Sequence, residues 1–361
     1  MSSQIPGLVD ELVAQMESGS PRAYRQAMSQ LADTARAGGP AELTAAVEAL
    51  APLLPGLAGD FAKTAVLAGA LVEWGGSPAA LAEGLPRRAA EAMMLNASVP
   101  RRWAEAAPGR PLPAPESAST QQLLAALTPL AEPHGRPDER DMARIAMSWF
   151  DMDDWLMAMI TLLGSRSFRA AVPADVKADL RRYAAAVADR SRFALRVGEL
   201  AAVLDDEPLI VLDPATRRGY ALTMSGVGDN YQLHILLADR LIGDPGQGLV
   251  AGERPDRSWV EAATGAHPHL GPDNPAVRRF RLFDGHGRYV APEGKPADIQ
   301  PLDGVRVLVL HPPGGVLGFG IGRVFEAMTP ALHLDRLLGA DEAASWFTRV
   351  APAVENDLMG N

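Results

Sequence analysis

Near Asp205 the sequence changes grammar, and this limits the fold more than any other feature. Before it, apolar residues recur at three-to-four spacing between proline breaks. After it, short β-rich apolar runs are bracketed by Pro and Gly. The first pattern builds amphipathic helices and the second builds strands. The expected fold class is therefore α+β: an all-helical N-terminal half, as a HEAT-like array or an irregular bundle, then a smaller mixed half with antiparallel hairpins. With 361 residues, the chain is long enough for about two cores.

Four segments are expected. Residues 1–95 read as helical hairpins, since Ser20-Pro21, Gly39-Pro40 and Ser77-Pro78 each place a cap before a helix-compatible proline. Leu31, Val47, Leu50 and Leu54, then Phe61, Val66, Leu67 and Leu71, supply stripes that neighbouring helices must cover. Residues 96–119 are Pro-rich and read as a linker or long loop, and 120–205 as a helical continuation, its last helix spanning roughly Asp175 to Leu204. Residues 206–361 form the α+β domain. There, Pro208–Asp213 and Tyr220–Ser225 flank a turn, and Val277–Phe283 and Arg288–Val290 flank Asp284-Gly-His-Gly. Val305–Leu310 and Leu332–Leu334 are further strands, and a closing helix carries Trp346 and Phe347.

Charge and composition narrow the partners. The net charge is -10 and basic residues come at most in scattered pairs, so the phosphate-neutralising face of a nucleic-acid binder is missing and no nucleic-acid partner is expected. Cysteine is absent, which excludes disulfides and thiolate chemistry. The longest apolar windows, Ala65–Val72 and Met157–Leu163, are too short to cross a bilayer, and the N-terminus lacks a secretory pattern; no membrane partner and a cytoplasmic address are expected.

Four constellations could carry chemistry. Asp151-Met-Asp153-Asp154, between Trp149-Phe150 and Trp155, resembles the Asp-x-Asp-Asp general-acid motif of class II terpene cyclases over four residues. That resemblance implies Asp153 as proton donor, with aromatic rings stabilising cations and an all-helical catalytic part. The plainer reading is a solvated acidic stretch with Trp149 and Trp155 packed inward. Ser225, Asp229 and His234 bring hydroxyl, carboxylate and imidazole together after a strand, in a Gly/Asp/Asn loop with Asn230 where backbone amides can gather for a ligand. The plainer reading there is a turn, a helix cap and a surface histidine. His267, His269 and Asp273 have the composition of a metal set, with His286 and His311 able to join, against the reading of a surface loop. The glycine-rich run 314–322, ending beside Arg323, fits a bulge or close backbone approach better than a phosphate loop. Asn230, His311 and Arg323 complete the candidate ligand contacts.

Two functions follow as expectations. The first is a binding protein: a helical scaffold joined to an α+β module that takes a protein or peptide partner, or a small molecule. The second is a small-molecule enzyme of hydrolase, lyase or cyclase type, with its site in the crevice between the halves. No particular cofactor is indicated. An enzyme should show a closed pocket where several polar groups with shifted pKa values converge.

Overall fold

The computed structural model describes residues 4–130, 139–266, 269–271, 275–313 and 318–354. It divides into two compact units, Met1–Ala202 and Val203–Asn361, meeting beside the change of pattern at Asp205. The chain is α+β, with most of its helices in the first unit.

The first unit holds α1 (Ile5–Ser18), α2 (Pro21–Gly38), α3 (Pro40–Leu50), α4 (Lys63–Glu73), α5 (Gly84–Ala106), α6 (Thr120–Leu127), α7 (Glu139–Leu163), α8 (Arg166–Ala171), α9 (Ala174–Val187) and α10 (Arg192–Ala201). Ser20 caps α2 by accepting the Ala23 N–H, and Ser119 and Gln122 form a reciprocal capping box on α6. Ser77-Pro78 opens only a 3₁₀ turn, Ala79–Leu81. The segment expected from Asp175 to Leu204 is two helices, because Ser191 breaks the run and caps α10 through the Ala194 N–H.

Helix α7 is the axis of this unit, packing against α4, α5 and α10, while α5 also packs on α9. Contacts between elements so distant in sequence belong to an irregular bundle, since an array of repeats touches only its neighbours. They also join the stretches before and after the Pro-rich segment into one core.

The expected linker at 96–119 is corrected accordingly. Helix α5 runs through Pro100 to Ala106, because Asn96 and Val99 are buried on it and the Asn96 amide donates to the Ser148 carbonyl of α7. Packing on that face outweighs the one backbone bond that proline removes. Residues 107–119 are mostly extended but held down, with Trp149 donating to the Pro113 carbonyl and Leu112 packed against the α5–α6–α7 core.

The second unit holds β1 (Glu207–Asp213), β2 (Arg218–Ser225), α11 (Asn230–Leu241), α12 (Arg257–Thr264), β3 (Ala276–Val277), β4 (Arg281–Asp284), β5 (Arg306–His311), β6 (Gly318–Phe319), β7 (Ala331–Leu337) and α13 (Ala340–Arg349). Five strands form one mixed sheet in the order β4-β5-β1-β2-β7. Strand β5 runs parallel to β1 and the other pairs are antiparallel. A separate two-stranded sheet pairs β3 with β6.

Alternation along the strands explains why both faces are covered. Leu209 and Val211 of β1 join Tyr220, Leu222, Leu308 and Leu310 in the core under α11. Ile210 and Leu212, pointing the other way, join Phe283, Val307, Val309 and Trp346 of α13. A strand buried on both faces reads as an unbroken apolar run, as Pro-Leu-Ile-Val-Leu does. The turn to β2 is fixed by Asp213, which accepts from the Ala215 N–H and the Thr216 hydroxyl. At the outer strand β7 the register slips: Ala221 faces Arg336 and Leu222 faces Leu334, so Asp335 is bulged, and it accepts the Thr223 hydroxyl at 2.7 Å.

Candidate functional site

Ser225, Asp229 and Asn230, expected to form a site in the second unit, are each hydrogen-bonded within the fold. Ser225 accepts the Asp206 N–H, holding that residue at its positive φ of 53°. Asp229 is the N-cap of α11, accepting the Gln232 N–H at 2.8 Å, and burial raises its carboxyl to about 6. Several loop amides are already engaged: Gly226 donates to the Leu204 carbonyl, Gly228 to the Gln232 side chain and Asn230 to the Gly294 carbonyl. Asn230 also donates through its side chain to the Ala291 carbonyl.

The surface position expected for His234 is corrected. It is 1% exposed, neither ring nitrogen has a hydrogen-bond partner, and burial, with Arg278 nearby, lowers it to about 3. Ser225, Asp229 and His234 thus form no hydrogen-bonded relay. Helix α11 is buried on nearly every side, from Gln232 to Ala238, and a helix apolar all round has no surface for a histidine to occupy.

The remaining candidates are dispersed. His269 is exposed and lies over the glycines of the strand region after β6: a Cβ on Gly322 would come 2.4 Å from its Nδ1. This is the close approach that the alternating glycines suggested. His267 and Asp273 lie outside the described residues, and among the described residues no group of three His, Asp or Glu could hold a metal. His311 meets the Phe283 ring at a tilt of 59° with centroids 4.8 Å apart, and His286 contacts the Pro301 carbonyl. Arg323 is exposed and packs across Gly265, where α12 ends.

In the helical unit the acidic motif behaves differently. Helix α7 presents Asp151 inward, 2% exposed, on the stripe that continues with Trp155, Met159 and Leu162. This corrects the solvated reading for Asp151. The motif's three aspartates separate by helical phase. Asp153, on another face, accepts the Ser191 hydroxyl at 2.6 Å and so braces the start of α10. Asp154, one turn from Asp151, shares a cavity with it.

A buried cation–carboxylate arrangement frames that cavity. Asp151 Oδ2 accepts the Gly59 N–H at 2.7 Å and lies 3.9 Å from Arg88 Nη2. Arg88 is 2% exposed; it donates twice to the Leu57 carbonyl and sits over the Trp155 ring at 4.6 Å. Burial raises Asp151 to about 6, outweighing the Gly59 and Arg88 contributions, and lowers Arg88. The pair grips both ends of the Leu57–Gly59 loop, and the positive φ of Gly59, 61°, turns the chain there. The fixed loop delivers Asp60, Phe61 and Lys63 to the cavity wall.

The cavity measures about 660 Å³, within the range of small-molecule sites. Phe150, Met147 and Tyr24 line it, with Asp151 and Asp154. Tyr24 bonds to Thr64 at 2.8 Å and meets Phe61 edge-on at 5.2 Å. Burial is also the main cause raising Asp154 and Tyr24, so three groups with shifted values converge here. A second, more open cavity of about 790 Å³ borders Arg88, but its Arg87 and Glu91 are already paired with Asp175 and Arg144.

The sequence held a signal for Asp151 that motif reading passes over: it stands four residues before Trp155 on the apolar stripe of a long helix. Comparison with family models, curated proteins and solved structures found no match to this chain.

Proposed function

We propose that the protein is a binding protein whose helical unit receives a small organic molecule in the cavity between α2, the 57–63 loop and α7. One observation carries this reading: a buried Asp151–Arg88 pair is used to fix the loop that walls the cavity. Buried ion pairs are poor sources of stability, and apolar residues of similar volume often serve a core as well. Its use beside a cavity of ligand size supports a role in shaping that cavity.

The hydrogen bonds that Ser225 and Asp229 make within the fold, and the absence of a relay to His234, support binding over catalysis in the second unit. A peptide adding as a strand to the five-stranded sheet would need the outer edge of β7, and the bulge at Asp335 weighs against that mode.

The test is ligand-observed NMR on the full chain with indole and 2-phenylethanol as probes. Saturation transfer is expected to either probe in the native protein and is expected to vanish in Met147→Trp, which fills the cavity, with the fold checked by circular dichroism. Transfer that survives the substitution, or transfer to neither probe, sinks the proposal.

A further inference from the structure

On that reading, we infer that the cavity selects an organic cation: an amine whose ammonium group meets Asp154 and whose apolar body lies against Tyr24, Phe61 and Phe150. The charges around the cavity sort by depth. Arg25, Asp60 and Lys63 stand at the rim, where Lys63 and Asp60 are paired at 3.5 Å and more than half exposed, so solvent screens them. The two charged groups set deeper are both carboxylates.

Neither deep carboxylate is fully satisfied. Asp154 is half-buried and makes no hydrogen bond or ion pair within 4 Å among the described residues, although the field of Lys63 reaches it. Asp151 is 2% exposed and lines the cavity; Gly59 donates to its Oδ2, while Oδ1 has only the neighbouring Trp155 indole N–H, outside ordinary hydrogen-bond geometry. A half-buried carboxylate without a contacting counter-ion, beside a buried oxygen that lacks a well-formed hydrogen bond, calls for a ligand that donates hydrogen bonds and carries positive charge.

The aromatic lining fits the same class. Rings present negative faces to cations, and Tyr24 and Phe61, packed edge to face, together with Phe150 offer such faces beside the acids. An anionic ligand would meet Arg25 and Lys63 only at the screened rim and then be repelled inside. Burial holds Asp154 above the ordinary carboxylate range, the direction taken when desolvation is uncompensated, and a bound ammonium would reverse it.

Three probes of one shape test this on the full chain by titration calorimetry: phenethylamine, 2-phenylethanol and 3-phenylpropionate. Phenethylamine is expected to bind about tenfold or more tightly than the alcohol, and the carboxylate most weakly. Asp154→Asn should erase the advantage of the amine and leave the alcohol unchanged. A readout that needs no variant is salt: raising it from about 0.02 to 0.5 M should weaken the amine several-fold and spare the alcohol. Equal affinity for amine and alcohol, or an amine advantage that survives both Asp154→Asn and salt, overturns the choice of cation while the cavity stands as a binding site. Binding of none of the three overturns both.

Discussion

Replacing His234 with leucine isolates the contribution of one buried imidazole. Its native value of about 3 lies far below the ordinary value near 6.5, so between those values only the unfolded chain takes up the proton. The unfolded state therefore gains as pH falls: this contribution to stability is complete above about pH 6.5 and is lost progressively toward pH 3. Going from pH 7 to pH 5 costs the native state about 2 kcal/mol through this residue alone. Asp229, raised to about 6, acts in the opposite sense, since the native state takes up that proton first; over the same interval it returns roughly 1 kcal/mol. Asp151, likewise raised to about 6, acts in the same sense as Asp229, so the three partly cancel and the unmodified protein should respond to acid less than His234 alone implies. Leucine also removes two unpartnered buried nitrogens, which should stabilise the variant at pH 7 by about 1 kcal/mol or more. Urea unfolding of both chains at pH 7 and pH 5 reads the difference, and the titrations of Asp229 and Asp151, common to both, drop out. The stability gap should widen by about 2 kcal/mol at the lower pH. A gap that stays constant within about 0.5 kcal/mol would refute the reasoning, because His234 would then be partnered or accessible.

Other substitutions probe the framework of the helical unit and the docking of the C-terminal segment. Arg88→Met leaves Asp151 buried without its cation and should cost about 3 kcal/mol in urea unfolding, whereas adding Asp151→Leu to it should recover part of that loss. Ser191→Ala removes both the cap of α10 and the hydroxyl bound by Asp153, and thermal denaturation should report a loss of about 1–2 kcal/mol. Gly287 has φ of 80°, and a Cβ there would come 2.2 Å from the Pro352 carbonyl oxygen; Gly287→Ala should cost at least about 2 kcal/mol and raise hydrogen exchange at Ala351 and Val354.

Local chemistry in the sequence carried as far as local structure reaches. Ser20, Ser119 and Asp229 announce helix starts because their side chains bond to amides two or three residues away, and the β1–β2 turn is set within six residues by Asp213. Sheet order depends on distant partners: β5 inserts between β1 and β4 across a long stretch of chain, and nothing in Arg-Val-Leu-Val-Leu-His names that neighbour. The site was half legible. The motif around Asp151 stood out by composition, but its three aspartates look alike as letters, and only the rotation of α7 separates one that is buried, one that braces α10 and one that faces a cavity. Pro100 misled for the converse reason, since burial of Val99 and Asn96 decided the helix against its local preference. His234 was misplaced by reading the residue instead of the run around it, Leu233 to Ala238, which is apolar in every direction but its own.

The bulge at Asp335 has a consequence for the edge of the sheet. The far side of β4 is already occupied, as Val290 donates to the Leu282 carbonyl and Asp284 to that of Arg288. That leaves β7 as the outer margin of the five-stranded sheet, among the described residues. There the spacing of the backbone groups is broken at Asp335, and the acid is tied to Thr223 within the sheet. An incoming strand of regular pleat would meet a misaligned template carrying a charge. One extra residue in a strand thus makes this edge a poor template for strand addition.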